Sequence, residues 1–553
     1  RRVESHRLRI EQGCGEDGGV VVLDPGGDVD ELGEGCRMAF REAVGSKTLD
    51  LLEDLLSRAE TPHLLLVGAY RDNEVDGDHP LSRTLKTLHH ADVHIDEIRL
   101  APLAGAHIEQ LISESLRCPP ASIVALARLV LDKTAGNPFF VIQFLHALAE
   151  EKLLTYEPAR QRWRWDVHLI NGKGYTDNVV DLMVGKLARL PQETRQALQQ
   201  LACLGNVARL DTLATVLDVP VPHVHSALSP AVRLELVERQ DGAYRFVHDR
   251  IHEAVYSLIA ETERAQMHLR IGRLLALQTQ GERREEAIFE IVGQLNRGAH
   301  LISLRAEREQ LAEFNLLAGQ RAKASTAYTS ALTYLGAGAE LLGEQGYDSR
   351  HELGFALELN RAECEFLTGQ LQLADSRLAT LAERAVTTVE RAAVACLQMD
   401  VYLLLDRSDR AVTVCLAFLR QVGIDWPARP DDIQVRDEYQ QVWTRLRGRS
   451  IEQMIDLPLM EDPAARATLD ALGKLFAPAV QSDLNLASLT ICKAISLSLQ
   501  YGNCDASCLL YANFGRVSGP RFGDYAAGYR FGRLGCDLVD RRGLTRYEAS
   551  TWL

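Results

Sequence analysis

A chain of 553 residues is too long for one hydrophobic core, and 46% hydrophobic with 25% charged residues is the balance of a folded protein of several domains, not a disordered one. The net charge of −15 offers no counterion release on a polyanion, which argues against general nucleic-acid binding. No run approaches the roughly 18 consecutive apolar residues of a membrane span, and Arg1–His6 has no apolar stretch behind it to make a signal peptide.

Residues 1–47 are rich in glycine (Gly13, Gly15, Gly18, Gly19, Gly26, Gly27, Gly33, Gly35), and only Val20-Val21-Val22-Leu23 reads as a strand. From Thr48 the pattern is regular. Leu49, Leu51, Leu52, Leu55 and Leu56 make a helix stripe, and Leu64-Leu65-Leu66-Val67-Gly68 reads as a buried strand. A helix near Leu81–His89 and a strand near Val93–Leu100 follow, so residues 48–100 predict the tail of a parallel α/β sheet. Residues 101–190 predict helices at Gly105–Leu116, Ser122–Thr134 and Phe139–Leu154, then a hairpin strand, Arg162-Trp163-Arg164-Trp165, whose aromatic face packs on them. Residues 191–260 predict short helices (Glu193–Leu204, Leu210–Leu217, Pro222–Leu228) and two strands around Asp241-Gly242, the composition of a winged helix. Residues 261–553 are helical. Ala374 and Ala411 follow similar turns at close to the ~34-residue period of tetratricopeptide hairpins, so a helical solenoid is expected, with an irregular bundle as its rival.

Several strings tempt and fail. Gly13-Cys14-Gly15-Glu16-Asp17-Gly18 fits G-x-G-x-x-G but precedes its strand instead of following it. Gly45-Ser46-Lys47-Thr48 has Ser46 and Arg41 where a phosphate loop needs glycines, and G-x-x-x-x-G-K-[ST] occurs nowhere in the chain. His223/His225 and His89/His90/His94 lack further ligands for a metal. The eleven cysteines are scattered, with Cys203, Cys396, Cys415 and Cys492 in apolar helices and no second pair beside Cys504/Cys508, so reduced thiols and a cytoplasmic protein are expected.

Three features point towards a nucleotide. Arg71 directly follows a buried strand, where a guanidinium can meet a terminal phosphate; the plainer alternative is a surface arginine paired with Asp72 or Glu74. In Gly136-Asn137-Pro138-Phe139-Phe140, Pro138 stands before a helix rich in Phe139, Phe140 and Phe144 and offers with it an apolar shelf for a base, or is simply a helix start with proline in its first turn. His248, in Phe246-Val247-His248-Asp249-Arg250, stands where the wing returns to a helix; its imidazole can hold a diphosphate or merely cap and pack.

In order and spacing these strings resemble the AAA-like ATPase module of bacterial trifunctional proteins that join a serine/threonine kinase, an ATPase and a sensor histidine kinase, among the signal-transduction ATPases with numerous domains (STAND). Gln294-Leu295-Asn296-Arg297-Gly298, Arg361-Ala362-Glu363-Cys364-Glu365 and Gly519-Pro520-Arg521-Phe522-Gly523-Asp524-Tyr525 resemble its helical connector. The resemblance runs from about Thr48 to the end. It implies a mainly α chain: a partial AAA-like α/β core, a helical lid, a winged helix and a TPR-like α-helical solenoid. It also implies that Arg71 is the first sensor, that Gly136, Asn137 and Pro138 form the adenine-side lid, and that His248 is the wing histidine, with Val247 in place of the usual Met. The cofactors implied are ATP or ADP with Mg, and the partners are flanking kinase domains reached through the solenoid.

One departure matters. The family's Walker B strand, with paired acids, belongs about ten residues before the Thr48 helix, where this chain has Cys36-Arg37-Met38-Ala39-Phe40-Arg41-Glu42-Ala43, while Val22-Leu23-Asp24 is followed by Pro25. The stretch before Ser46 therefore reads as rearranged. Without Walker A lysine or Walker B acids, hydrolysis by this chain is not expected and nucleotide binding should be weak or lost. A start without Met and an end inside a helix-like pattern suggest a fragment. Three rivals stand beside this reading: a DNA-binding winged-helix regulator, a histidine kinase with His248 as phosphoacceptor, and a pure interaction scaffold. The DNA reader would depend on Val221–Glu235, where Arg233 is the one fixed positive charge.

Overall fold

The β-branched run Val20-Val21-Val22 forms the inner strand of the first sheet in a computed structural model, which describes residues 18–24, 37–40, 56, 65–71, 80–90, 93–172, 185, 187–279 and 281–552. Strands β1 (Gly18–Asp24), β2 (Arg37–Phe40), β3 (Leu65–Arg71) and β4 (His94–Leu100) lie in the order β2-β3-β1-β4. The expected parallel sheet is in fact mixed. β1 is antiparallel to both neighbours, with Val21 opposite Gly68 and Glu97, while β2 runs parallel to β3, with Met38 opposite Leu66. β3 and β4 keep a common direction, but β1 lies between them. A triple-valine strand suits an inner position where both of its edges find hydrogen bonds. The polar alternation Asp96, Glu97, Arg99 suits β4 to the sheet edge, where Arg99 and Glu97 pair at 3.5 Å. β2 also corrects the reading of residues 1–47 as having one strand. Four residues of mixed type carry no strand signal of their own.

Helix α1 (Pro80–His90) is followed by α2 (Gly105–Leu116), α3 (Pro120–Thr134) and α4 (Pro138–Glu150), which bury Ile108, Ile112, Leu126, Val130, Val141, Phe144 and Leu148 together. Prolines at the first turns of α3 and α4 set the starts two and one residues earlier than the apolar stripe alone predicts. The predicted end of α4 is too long: Lys152 turns left-handed (φ 59°), and Leu154 opens strand β5 (Leu154–Glu157). β5 pairs with β6 (Arg162–Trp165), and Trp163 and Trp165 pack against the three-helix core, as the aromatic alternation predicts. A short α5 (Val167–Gly172) follows.

Helices α6 (Gln192–Leu204), α7 (Leu210–Leu217) and α8 (Val221–Arg233) surround Leu198, Leu201, Leu213, Val224 and Leu228. Their sheet has three antiparallel strands in the order β7 (Val207–Arg209), β9 (Ala243–Phe246), β8 (Val237–Gln240). Asp241 (φ 43°) and Gly242 (φ 78°) form the two-residue hairpin turn with both residues left-handed that an Asp-Gly pair favours. Then come α9 (Asp249–Ser257), α10 (Glu261–Gln278), α11 (Glu282–Glu286) and α12 (Ile288–Arg297). The chain divides into two compact units, Arg1–Ser303 and Leu304–Leu553, so α10 to α12 fall within the first.

The second unit begins with three helical hairpins: α13/α14 (Arg305–Ala324, Tyr328–Ser349), α15/α16 (His351–Leu367, Leu371–Arg384) and α17/α18 (Thr388–Leu404, Ser408–Gln421). Each hairpin turns through one left-handed residue: Thr326 (φ 61°), Gly369 (φ 77°) and Asp406 (φ 56°). The next residue's N–H then returns to a carbonyl of the first helix, Ala327 to Ala322, Gln370 to Glu365 and Arg407 to Tyr402, each at 2.8 Å. At the same offset beyond each turn stands a fully buried alanine: Ala331, Ala374 or Ala411. The repeat seen at two positions in the sequence therefore has a third copy. It was hidden because α14 has 22 residues where α16 has 14, which lengthens the interval. Helices α19 (Asp432–Leu446), α20 (Pro463–Ser482), α21 (Leu484–Tyr501), α22 (Asp505–Phe522), α23 (Tyr525–Arg542) and α24 (Glu548–Trp552) complete the unit around Tyr511, Phe514 and Phe531. Among the described residues no helix is long and apolar enough to cross a membrane. The protein is mainly α.

Candidate functional site

The segment from Gly136 to Phe139 and the residue His248 meet inside the first unit. Ala135 ends α3 in the left-handed region and Gly136 follows at φ 78°. The Gly136 carbonyl accepts the Leu103 N–H at 2.7 Å. A Cβ at Gly136 would stand 2.4 Å from the Leu103 carbonyl oxygen, so both the dihedral and the close backbone approach require glycine. Asn137 is the N-cap of α4: its Oδ1 accepts from the N–H groups of Phe139 (3.0 Å) and Phe140 (3.3 Å). Pro138 takes the first helical position.

His248 is extended (φ −148°, ψ 143°), caps α9 and is buried. Its Nδ1 accepts the Arg250 N–H at 3.1 Å. An amide can only donate, so this assigns the neutral ring's proton to Nε2. The imidazole stacks on Phe139 with centroids 4.3 Å apart and planes 16° from parallel, and Phe140 stands 6.3 Å away at a tilt. The two strings are thus joined ring to ring. Asp249 accepts from Asn206 Nδ2 at 2.9 Å, and Arg250 pairs with Glu253 at 3.0 Å. A polar chain leads on from the same helix. Tyr256 meets His268 Nε2 at 2.9 Å, His268 Nδ1 meets Gln294 Oε1 at 2.7 Å, and Gln294 Nε2 donates to the Cys203 carbonyl at 2.9 Å. Because Gln294 turns its amide nitrogen to Cys203, its oxygen accepts from His268 Nδ1–H, and His268 Nε2 accepts from Tyr256. Burial lowers the pKa of His268 below its usual 6.5.

Arg71 closes β3; its side chain lies outside the described residues. Its backbone pairs with Gly18, which also pairs with Leu100 of β4. Three residues past Leu100 stands Leu103, tied to Gly136. Two strand spacings of about 5 Å, three residues of at most about 3.5 Å each and a further step of about 5 Å across the Leu103–Gly136 hydrogen bond put the Arg71 backbone within roughly 25 Å of the Gly136 turn. β2 stands in the sequence where the resemblance implies an acidic strand; it runs parallel to β3 and carries Arg37-Met38-Ala39-Phe40. Among the described residues no three His, Cys, Asp or Glu side chains converge to hold a metal.

The sequence read Phe139, Phe140 and Phe144 as one apolar shelf. The structure separates them: Phe144 belongs to the α2–α4 core, and Phe139 packs against His248 and the α6–α8 core. Leu103 carried no signal in the sequence, since a single backbone hydrogen bond between distant residues leaves no pattern. The helix-start amides of Phe139, Phe140 and Arg250 are already engaged by Asn137 and His248. Recognition here would therefore rest on rings and side chains.

No protein-family model matches the chain. It is 26% identical, over 87% of its length, to the hybrid signal transduction histidine kinase G of Dictyostelium discoideum, of which it spans 16%. A solved STAND protein with a tetratricopeptide repeat sensor, from Pyrococcus horikoshii, aligns with 81% of this chain and 61% of its own at 12% identity and a TM-score of 0.31, too low to carry weight. The chain is similar to a segment of a signal-transduction histidine kinase.

Proposed function

We propose that this chain is a nucleotide-responsive regulatory and scaffold segment of a multi-domain signal-transduction kinase, of the STAND ATPase type. The observation that carries this reading is the Phe139–His248 stack, which sets the start of α4 against the entry to α9. The long alignment with a signalling histidine kinase supports the setting. In this reading residues 101–190 are the lid, residues 191–260 the winged helix, and the hairpins of the second unit the surface that meets flanking kinase domains. Pro138 lies against the adenine, with Gly136 and Asn137 holding the turn. His248 donates from Nε2 to a phosphate, and Arg71 meets the terminal one. The narrower form of the proposal is the bacterial trifunctional kinase arrangement.

The grip is weak in this form. One hydrogen bond to a charged group contributes about 1.5–3 kcal/mol, whereas moving a switch from 1:99 to 99:1 takes about 5.5 kcal/mol. With no phosphate loop in the sequence the module responds feebly to nucleotide and hydrolyses little. Calorimetry with ADP, and with ATP plus magnesium, tests it. Weak binding abolished by His248→Ala together with Pro138→Ala is expected. Binding that survives both changes would overturn the assignment, and no binding at all would leave a scaffold.

A further inference from the structure

The hairpins of the second unit repeat in length as well as in turn. α15 and α17 each have 17 residues, and α16 and α18 each have 14. Ala374 and Ala411 accordingly stand 37 residues apart, but Ala331 and Ala374 stand 43 apart. The surplus of six lies at one place. Helix α14 is broken at Gly343 (φ 59°, ψ 178°), a conformation open in practice to glycine alone, and residues 344–349 form a separate turn beyond the break. An insertion into a regular repeat array is carried on one face, often the face that binds. Beside this turn lies a cavity of about 470 Å³ between α14, α15 and α16, and Gly343, Glu344 and Tyr347 belong to its wall.

The inserted turn is held at its far end and by one ring. Arg350 fixes that end on α13 through Glu309, at 3.1 Å, and Glu313, and Arg305 of the same helix donates to Ser349 Oγ. Of residues 344–349 only Gly346 and Tyr347 are buried. The Tyr347 ring enters the apolar core of α15 to α17 and is seated on Gly354, where a Cβ would stand 2.4 Å from it. Arg384 covers the ring, 4.6 Å from its centroid, and pairs with Glu344 at 2.7 Å. The Glu344 side chain is 80% exposed, so that pair holds weakly. We propose that residues 344–349 are a lid on the cavity, hinged at Gly343, with Tyr347 as its plug. A segment held by one buried ring and exposed ion pairs opens more readily than helices that bury a whole face. Leu381 lines the cavity and shares the apolar core with Tyr347, so withdrawing the ring uncovers it. Gly354 sets the balance: within a helix alanine is the better residue, and here glycine makes the seat.

Hydrogen exchange and thiol labelling of the 553-residue chain test this. Amides of residues 344–349 should exchange at least about tenfold faster than those of residues 332–342. Gly354→Ala, which favours α15 as a helix but crowds the Tyr347 ring, should speed the same amides by a further factor of about ten, with α13 and α17 unchanged. Leu381→Cys reports on the cavity. Its labelling by a maleimide, located by peptide mass, should be slow and should accelerate when Gly354→Ala or Tyr347→Ala is added. Equal exchange on both sides of Gly343, or labelling indifferent to both added changes, would overturn the lid. So would an acceleration shared by α13 to α18, which would mean that the array opens as one body. The exchange comparison needs no new cysteine and decides the matter if Leu381→Cys folds poorly. The nucleotide reading concerns the other unit and stands or falls separately.

Discussion

His248 and Phe139 stack with ring centroids 4.3 Å apart, and the same imidazole accepts the Arg250 N–H through Nδ1. One side chain therefore does two jobs, capping α9 and packing on the start of α4, and the two can be separated by substitution.

His248→Ala removes both, at about 1 kcal/mol for the cap and about 0.5–1.5 kcal/mol for the ring contact. His248→Asn should restore the cap alone. Urea unfolding should rank the proteins wild type, Asn, Ala, with Phe139→Leu close to the Asn variant. Equal losses in Asn and Ala would mean that the cap contributes nothing.

Gly136→Ala should destabilise the first unit by about 1–3 kcal/mol, because a Cβ meets the Leu103 carbonyl at 2.4 Å in a left-handed backbone. Hydrogen exchange should show faster opening at α3 and α4, with α13 to α18 unchanged. An unaltered exchange pattern would show that this turn tolerates a side chain.

His268 should make stability depend on pH. Its folded pKa lies below the unfolded value of 6.5, so the unfolded chain takes up the proton first as pH falls. Its contribution is complete above about 6.5 and is lost as pH drops towards and through the lowered folded pKa, by at most about 1.4 kcal/mol per pH unit. The difference between wild type and His268→Gln, followed by urea unfolding across that window, isolates this residue. A difference independent of pH would show that His268 does not titrate on unfolding.

Ala331, Ala374 and Ala411 occupy one position of the repeat, each fully buried. Leucine at any of them should cost about 1–3 kcal/mol by overpacking the hairpin, and more cautious growth to serine should cost less. If Ala331→Leu alone were harmless in thermal unfolding, the first hairpin would not share the packing of the other two.

Helix α8 should not read DNA. Its fixed cation, Arg233, donates to Ser229 Oγ at 2.8 Å, and the chain carries a net charge of −15. A duplex shift assay at low salt should show no tight, salt-sensitive complex.

Local chemistry made much of this legible in advance. The Asp241-Gly242 hairpin, the proline-led starts of α3 and α4, and the alternating tryptophans of β6 are decided within a few residues, where dihedral preference and apolar period act directly. Two copies of the repeat alanine were visible because the interval from Ala374 to Ala411 is close to the ~34-residue period of such hairpins. The sequence alone therefore determined a mainly α protein, the mixed helix-and-strand segment around residues 191–260, and the strings worth watching. Tertiary structure decided the rest, because the deciding contacts join residues far apart in the chain. Antiparallel β1 entered between β3 and β4, Leu103 claimed Gly136, Phe139 left its neighbours for His248, and Arg384 settled over Tyr347. Backbone hydrogen bonds and ring contacts of this kind depend on which distant atoms arrive, and no local period encodes that arrival.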